Sequence, residues 1–244
     1  MGRNERVLAS IADARVRTLL TRLHREADRQ SFGLLRAGLP QLPRLLLGRG
    51  LSSQRLEAAM SDKYIPLEPA QGMLCYLLAR SLRAERIVEF GTSFGVSTIY
   101  LAMAVRDNGG GRVIGTELVP AKAAKARQHL AEAGLAEFVE IREGNALETL
   151  RSLDGPVDFF LNDGFPRFAL DVLRLVAPQL REGAIVLADN AGTFPAELAE
   201  YLAWVRDPAN GFASGVLALA RDAELSVRVA GAFDGQELLR NPSV

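Results

Sequence analysis

The chain has 244 residues, with 29 Lys+Arg against 29 Asp+Glu and 48 % hydrophobic residues; this is ordinary globular composition, enough for one large domain or one domain with an appendage. Its single cysteine, Cys75, excludes an intramolecular disulfide and a thiolate zinc cage, and its two histidines, His24 and His129, lie too far apart in sequence to suggest an imidazole metal site. Apolar runs such as 183–188 and 215–220 are too short to span a bilayer, and charged residues Arg3, Glu5 and Arg6 leave no signal-peptide core, so a cytoplasmic protein is expected.

Residues 1–60 carry eleven arginines, no lysine and five acids, a surplus of +6 that leaves −6 for the remainder. Such a front suits a nucleic acid, an acidic partner, the chain's own acidic body, or simply a solvated helix face. Val7, Leu8, Ile11, Val16, Leu19, Leu20 and Leu23 recur at roughly helical spacing. Gly38, Pro40, Pro43, Gly48 and Gly50 then break the pattern, so a boundary is placed near residue 60. The leucines at 45–47 are expected to be buried on the body or across a dimer interface.

From Gln71 onward short β-rich runs alternate with amphipathic helical stretches. The expected strands are Arg86–Phe90, Arg112–Glu117, 137–142, 157–161 and 184–188, with helices over 121–133 and 168–180. That alternation predicts an α/β fold, a doubly wound and mostly parallel sheet covered on both faces. Runs 216–220 and 225–229 suit an antiparallel hairpin, bringing the sheet to seven strands.

Two features of this pattern carry chemistry. The loop Gly91-Thr92-Ser93-Phe94-Gly95 follows the first strand and enters a helix, where glycines permit a tight turn and free N–H groups face an anion. The second strand ends in Glu117, placed to accept from ribose hydroxyls. The loop is a poorer fit to the dinucleotide fingerprint than to S-adenosylmethionine, and no tyrosine is followed four residues later by lysine. Two later strands end in Asp163 and in Asp189-Asn190; neighbouring parallel strands would bring these oxygens together. Hard oxygen donors without thiolate or imidazole suit Mg²⁺, Ca²⁺ or Mn²⁺.

Residues 89–97, Glu117, 142–147, Asp163 and Asp189-Asn190 together resemble the cation-dependent O-methyltransferases, of which the caffeoyl-CoA and catechol enzymes are best known. The resemblance covers about residues 61–192. The spacing of the two aspartates, 189 − 163 = 26, is typical of the caffeoyl-CoA type. It implies a seven-stranded class I methyltransferase sheet with a helical N-terminal extension. In that frame Glu89, Gly91 and Thr92 line S-adenosylmethionine, Ser97 meets its methionine carboxylate, Glu117 holds its ribose and Ala146 contacts its adenine. Asp163, Asp189 and Asn190 ligate a divalent cation, with Asp163 also beside the cofactor, and Leu67 belongs to a lid segment over cofactor and substrate.

The sequence departs from the resemblance at the position three residues after the first metal aspartate, where many relatives carry a lysine and this chain has Pro166. Arg167 is adjacent but too basic to accept a proton, so it is expected to contact substrate charge or surface acids. Residues 1–60 have no counterpart in the resemblance and are expected to cover the substrate mouth and to serve a homodimer, with 61–244 forming the methyltransferase domain. The resulting expectation is metal-dependent methylation of a small hydroxylated aromatic molecule, without membrane or nucleic-acid partners. Methylation of a modified tRNA nucleoside and a non-catalytic cofactor-binding subunit are the alternatives.

Overall fold

A computed structural model describes residues 2–38, 66–218 and 222–229 of the chain. Its centre is a seven-stranded sheet in the order β3-β2-β1-β4-β5-β7-β6. The strands are β1 (Arg86–Phe90), β2 (Arg112–Glu117), β3 (Val139–Glu143), β4 (Val157–Asn162), β5 (Leu180–Ala188), β6 (Phe212–Leu217) and β7 (Ala223–Arg228). The first five pair in parallel; β7 runs antiparallel to β5 and to β6. The expected doubly wound sheet with a closing hairpin is therefore present, with the last strand inserted between β5 and β6.

Alternate side chains of each strand feed two separate cores. Ile87, Val113, Phe159, Leu161, Ile185 and Leu187 face one layer of helices. Val88, Phe90, Ile114, Phe160, Val186 and Ala188 face the other. Both faces are buried, which is why these strands read as continuous apolar runs. The first layer contains α1 (Arg3–Ala9), α2 (Ala14–Gly38), α3 (Pro69–Ser81), α4 (Val96–Asp107) and α5 (Pro120–Ala133). The second is built from α6 (Ala146–Thr149), α7 (Ala169–Val176) and α8 (Ala199–Arg206). None of the helices among the described residues is long and apolar enough to cross a membrane.

Three of the boundaries that differ from the sequence expectation have a clear local reason. The leading helical pattern is two helices, because the Asp13 carboxylate accepts from the N–H groups of Arg15 (2.9 Å) and Val16 (3.1 Å) and caps a new start. Helix over 168–180 shrinks to α7, flanked by single 3₁₀ turns at Pro166–Phe168 and Ala177–Gln179, where prolines withhold the N–H that a longer helix needs. The sixth strand lies earlier than 216–220, because Ser214 belongs to the ladder: its hydroxyl meets the Glu224 carboxylate at 2.6 Å and the Ser226 hydroxyl at 2.8 Å. The boundary near residue 60 and the leucines at 45–47 lie outside the described residues.

The front helices share the core of the sheet. Leu8, Ile11, Val16, Leu19, Leu20 and Leu23 are all buried in the same cluster as Ile99, Tyr100 and Met103 of α4. Several front arginines bond within the molecule. Arg15 donates from Nε to the Glu132 carbonyl and from Nη2 to the Ala131 carbonyl (3.0 Å), at the C-terminal end of α5. Arg22 pairs with the Glu132 carboxylate at 2.7 Å, and Arg17 donates to the Ile11 carbonyl at 2.7 Å. Cations at a helix C-terminus meet the negative end of its dipole.

His24 sits inside this packing, 3.4 Å from the Tyr100 hydroxyl, and burial lowers its pKa to about 4 against a weaker opposing pull from Asp28. The unfolded chain protonates His24 near pH 6.5 and the folded chain only near 4. This residue's contribution is therefore intact above pH 6.5 and is lost as pH falls from 6.5 to 4, by about 1.4 kcal/mol per pH unit. His24→Gln is expected to flatten that part of the stability–pH curve, as measured by denaturant unfolding at stepped pH.

Candidate active site

The parallel register aligns the carboxyl ends of the central strands. Phe90 of β1 pairs with Thr116 of β2 on one side and with Asn162 of β4 on the other, and Asn162 pairs with Ala188 of β5. The residues that follow those positions, Gly91, Glu117, Asp163 and Asp189, therefore emerge along one edge. The chain reverses its direction of winding between β1 and β4, which makes this edge the topological switch point where open α/β sheets bind ligands.

Gly91 and Gly95 shape the first loop. Gly91 has φ +97°, and a Cβ there would come 2.6 Å from the Asp163 carbonyl oxygen. Gly95 has φ +83° at the start of α4 and passes within a methyl group's reach of Ala126. The N–H groups of Gly91 and Thr92 both point to the Thr116 carbonyl, which folds the loop back over β2. Beneath it lies Glu89, fully buried. Its Oε2 accepts from Thr92 (2.8 Å) and Thr98 (2.6 Å), while Oε1 is buried without a hydrogen-bond partner. Burial raises its pKa, and the neighbouring hydroxyls of Ser97, Thr98 and Thr92 oppose that rise.

Glu117 uses each carboxylate oxygen once, on the N–H of Ser93 (2.7 Å) and of Val119 (2.8 Å). A carboxylate has roughly four acceptor positions, so it retains capacity for two further donors. The Gly144 N–H donates to the Glu117 carbonyl at 2.9 Å, tying the loop after β3 to this edge and bringing buried Ala146 alongside. Leu118 is 58 % exposed here, a large apolar side chain left open beside Glu117. In the sequence, an apolar residue directly after an acid at a strand end is the only signal it offers.

Asp163, Asp189 and Asn190 come together as expected. The Asn190 amide lies 2.7 Å from Asp189 Oδ2 and 3.3 Å from Asp163 Oδ1, and Asn190 itself takes φ 67°. No group of three or more His, Cys, Asp or Glu side chains placed to hold a metal is found among the described residues; the third oxygen-bearing residue here is an amide. A further residue joins the set that the sequence did not single out. Gln71, buried near the start of α3, donates from Nε2 to Asp189 Oδ1 at 2.6 Å.

The other expected residues divide. Ser97 is buried in the first turn of α4, and Leu67 is buried in the core just ahead of α3. Arg167 is exposed on the rim, with its guanidinium 4.5 Å from the centre of the Phe168 ring. Neither histidine reaches the oxygen cluster: His24 lies in the core, and His129 donates to the Phe94 carbonyl at 2.8 Å. Cys75 is fully buried one helical turn after Gln71. Burial, reinforced by Asp163, Asp189 and Glu89, pushes its thiol pKa up, so no thiolate is available.

Residues 88–191 match a family model described as a methyltransferase domain. The chain is 36 % identical over 127 residues to a catechol O-methyltransferase of Mycobacterium tuberculosis, covering 52 % of this chain and 57 % of that one. This chain thus spans a little over half the length of the catechol O-methyltransferases it matches. A putative O-methyltransferase of Mycobacterium sp. (strain JLS) is 32 % identical over 177 residues, covering 66 % and 78 %. Among solved structures, the O-methyltransferase TomG of Streptomyces achromogenes, in complex with SAM, is 25 % identical with a TM-score of 0.63, covering 73 % and 88 %.

The close passage of Gly91 under Asp163 gives a direct test. Gly91→Ala is expected to destabilise the protein by about 1–3 kcal/mol, from the left-handed backbone and the contact with the Asp163 carbonyl, as read by chemical denaturation.

Proposed function

Because the chain belongs to the class I S-adenosylmethionine-dependent O-methyltransferase family, we propose that it transfers the methyl group of S-adenosylmethionine to a hydroxyl of a small hydroxylated aromatic acceptor, with a divalent cation at Asp163, Asp189 and Asn190. The observation that carries this reading is the convergence of those three residues beside the Gly91 loop and Glu117, at the switch point of the sheet.

The residues present suit the cofactor. Glu89 Oε1 is a buried acceptor lacking a donor, and an ammonium group is the kind of partner it would take. Ser97, in the first turn of α4, would meet the carboxylate of the methionine part. Glu117 has spare acceptor capacity for the two ribose hydroxyls. Ala146 and exposed Leu118 would flank the adenine, and Leu67 would lie against the lid side.

They also suit a cation. Asn190's amide nitrogen and oxygen are interchangeable by a flip about its last torsion. With the oxygen turned inward, Asn190 would join Asp163 and Asp189 as an oxygen donor, its amide lying 2.7 and 3.3 Å from their carboxylates. Oxygen-only donors favour Mg²⁺, with Ca²⁺ or Mn²⁺ as substitutes. A bound ion there supplies two things, a lowered pKa for a chelated hydroxyl and a fixed position for it. Asp163 would face both groups, since its carbonyl lies against Gly91 and its carboxylate beside Asn190.

Proton removal follows from what the loop lacks. Pro166 stands where relatives carry lysine, and no imidazole or thiolate is at the cluster. Asp163 and Asp189, with any cation they would hold, would therefore set the ionisation of the acceptor, and Arg167 on the rim is assigned to acceptor charge. Residues 1–60 are assigned to the substrate mouth and a homodimer contact, with 61–244 as the methyltransferase domain. In support, Arg3 pairs with Glu68 at 3.6 Å, which holds the first helix against the segment entering α3.

Demethylated-cofactor release across catechols, flavonoids and polyketide phenols, with and without EDTA, tests the reading. Turnover is expected that EDTA abolishes and Mg²⁺ restores, with Asp163→Ala and Asp189→Ala each lowering kcat/KM by about 100-fold or more. Turnover indifferent to EDTA would refute the cation, and no binding of S-adenosylhomocysteine would refute the whole.

A further inference from the structure

Gln71 is buried, polar and committed at both ends of its amide. Its Oε1 accepts the N–H of Glu68 at 3.1 Å, closing the cap at the start of α3, and its Nε2 donates to Asp189 Oδ1 at 2.6 Å. This orientation is fixed by its partners, unlike that of Asn190. A backbone N–H must face the oxygen and a carboxylate must face the nitrogen, so a flip would break both bonds. The adjacent Gly72 seats α3 tightly, since a Cβ there would overlap the Tyr100 ring of α4. The amide is thus carried by a backbone that has little room to shift.

The geometry points to Gln71 as the positioning residue for Asp189: it aims that carboxylate at the acceptor edge and couples it to the segment 66–68 that enters α3 beside the cofactor site. The inference rests on the functional reading above. Donation from a neutral amide suits this place, because it orients Asp189 while adding no charge to a cluster that must attract a cation. Partners of metal-binding carboxylates commonly act this way, and losing one typically weakens metal binding about 10–100-fold. Gln71 touches neither transferred group nor acceptor in this scheme; it acts through Asp189.

Full-length wild type and Gln71→Met, which keeps the length but offers no donor, would be titrated with Mn²⁺ alone and separately with S-adenosylhomocysteine. The expected result is Mn²⁺ affinity weakened about tenfold or more with S-adenosylhomocysteine affinity within about twofold of wild type. Unchanged Mn²⁺ affinity overturns the inference, as does a parallel loss of both ligands, which would mark a general distortion. Wild type that binds S-adenosylhomocysteine but no Mn²⁺ refutes the cation reading itself and takes the inference with it. A second measurement needs no variant to fold: in ¹⁵N spectra of wild type, the Gln71 side-chain amide protons should exchange at least about tenfold slower than those of a free glutamine and shift on adding Mg²⁺. Exchange at the free rate with no Mg²⁺ response would overturn it.

Discussion

The pairing of β1 with β4, Phe90 beside Asn162, holds together everything that bears on function. It is the join between the two halves of a sheet wound in opposite directions, and it sets Gly91 against the backbone of Asp163. A strand slipped by one residue would turn Asp163 away from Asn190 and exchange the two hydrophobic cores, since Ile87 and Val88 face opposite layers. The apolar side chains that fix the register, Ile87, Val88, Phe159 and Phe160, are therefore as necessary to the site as the carboxylates. They are fully buried, and each contributes about 1.5–3 kcal/mol by leaving water.

That join concentrates acid at one edge. Glu89, Glu117, Asp163 and Asp189 lie within a few loops of one another, and the fold manages them with neutral donors. Threonine hydroxyls serve Glu89, backbone N–H groups serve Glu117, and the amides of Gln71 and Asn190 serve the aspartates. Neutral donors orient carboxylates without cancelling their charge, so the edge keeps a field that favours cationic ligands. The arginine-rich front balances charge elsewhere. Arg15 and Arg22 are engaged at the far end of α5 and Arg106 pairs with Asp13 at 2.6 Å, so the zero net charge of the chain is a sum of local settlements.

Much of this was legible because the signals are local and periodic. The bounds of β1 and β2 follow from apolar runs closed by Gly91 and Glu117, and the aspartates announce themselves as polar residues ending buried strands. What escaped needed tertiary information. Asp13 looks like any helix-interior acid until its carboxylate is seen on two N–H groups. Ser214 reads as a strand breaker until Glu224 and Ser226 are opposite. Gln71 is one glutamine in an amphipathic segment, and only the seating of α3 over the edge of the sheet reveals its partner 118 positions away.

The two amides at the cluster also differ in what they permit. Asn190, in a left-handed turn, has two carboxylates as its neighbours and an amide that can turn. Gln71 has one acceptor and one donor as its neighbours and an amide that cannot turn without losing both. One amide can thus turn either its nitrogen or its oxygen toward the pair of carboxylates, while the other holds Asp189 in a single orientation. Pro166 adds to the weight on that arrangement under the proposed function: with no ε-amino group in the loop, the placement of the carboxylates would set how the acceptor hydroxyl ionises. On that reading the site would rely on rigidity at Asp189. Gly72 against Tyr100 supplies it, from a helix layer that also packs the front segment through His24.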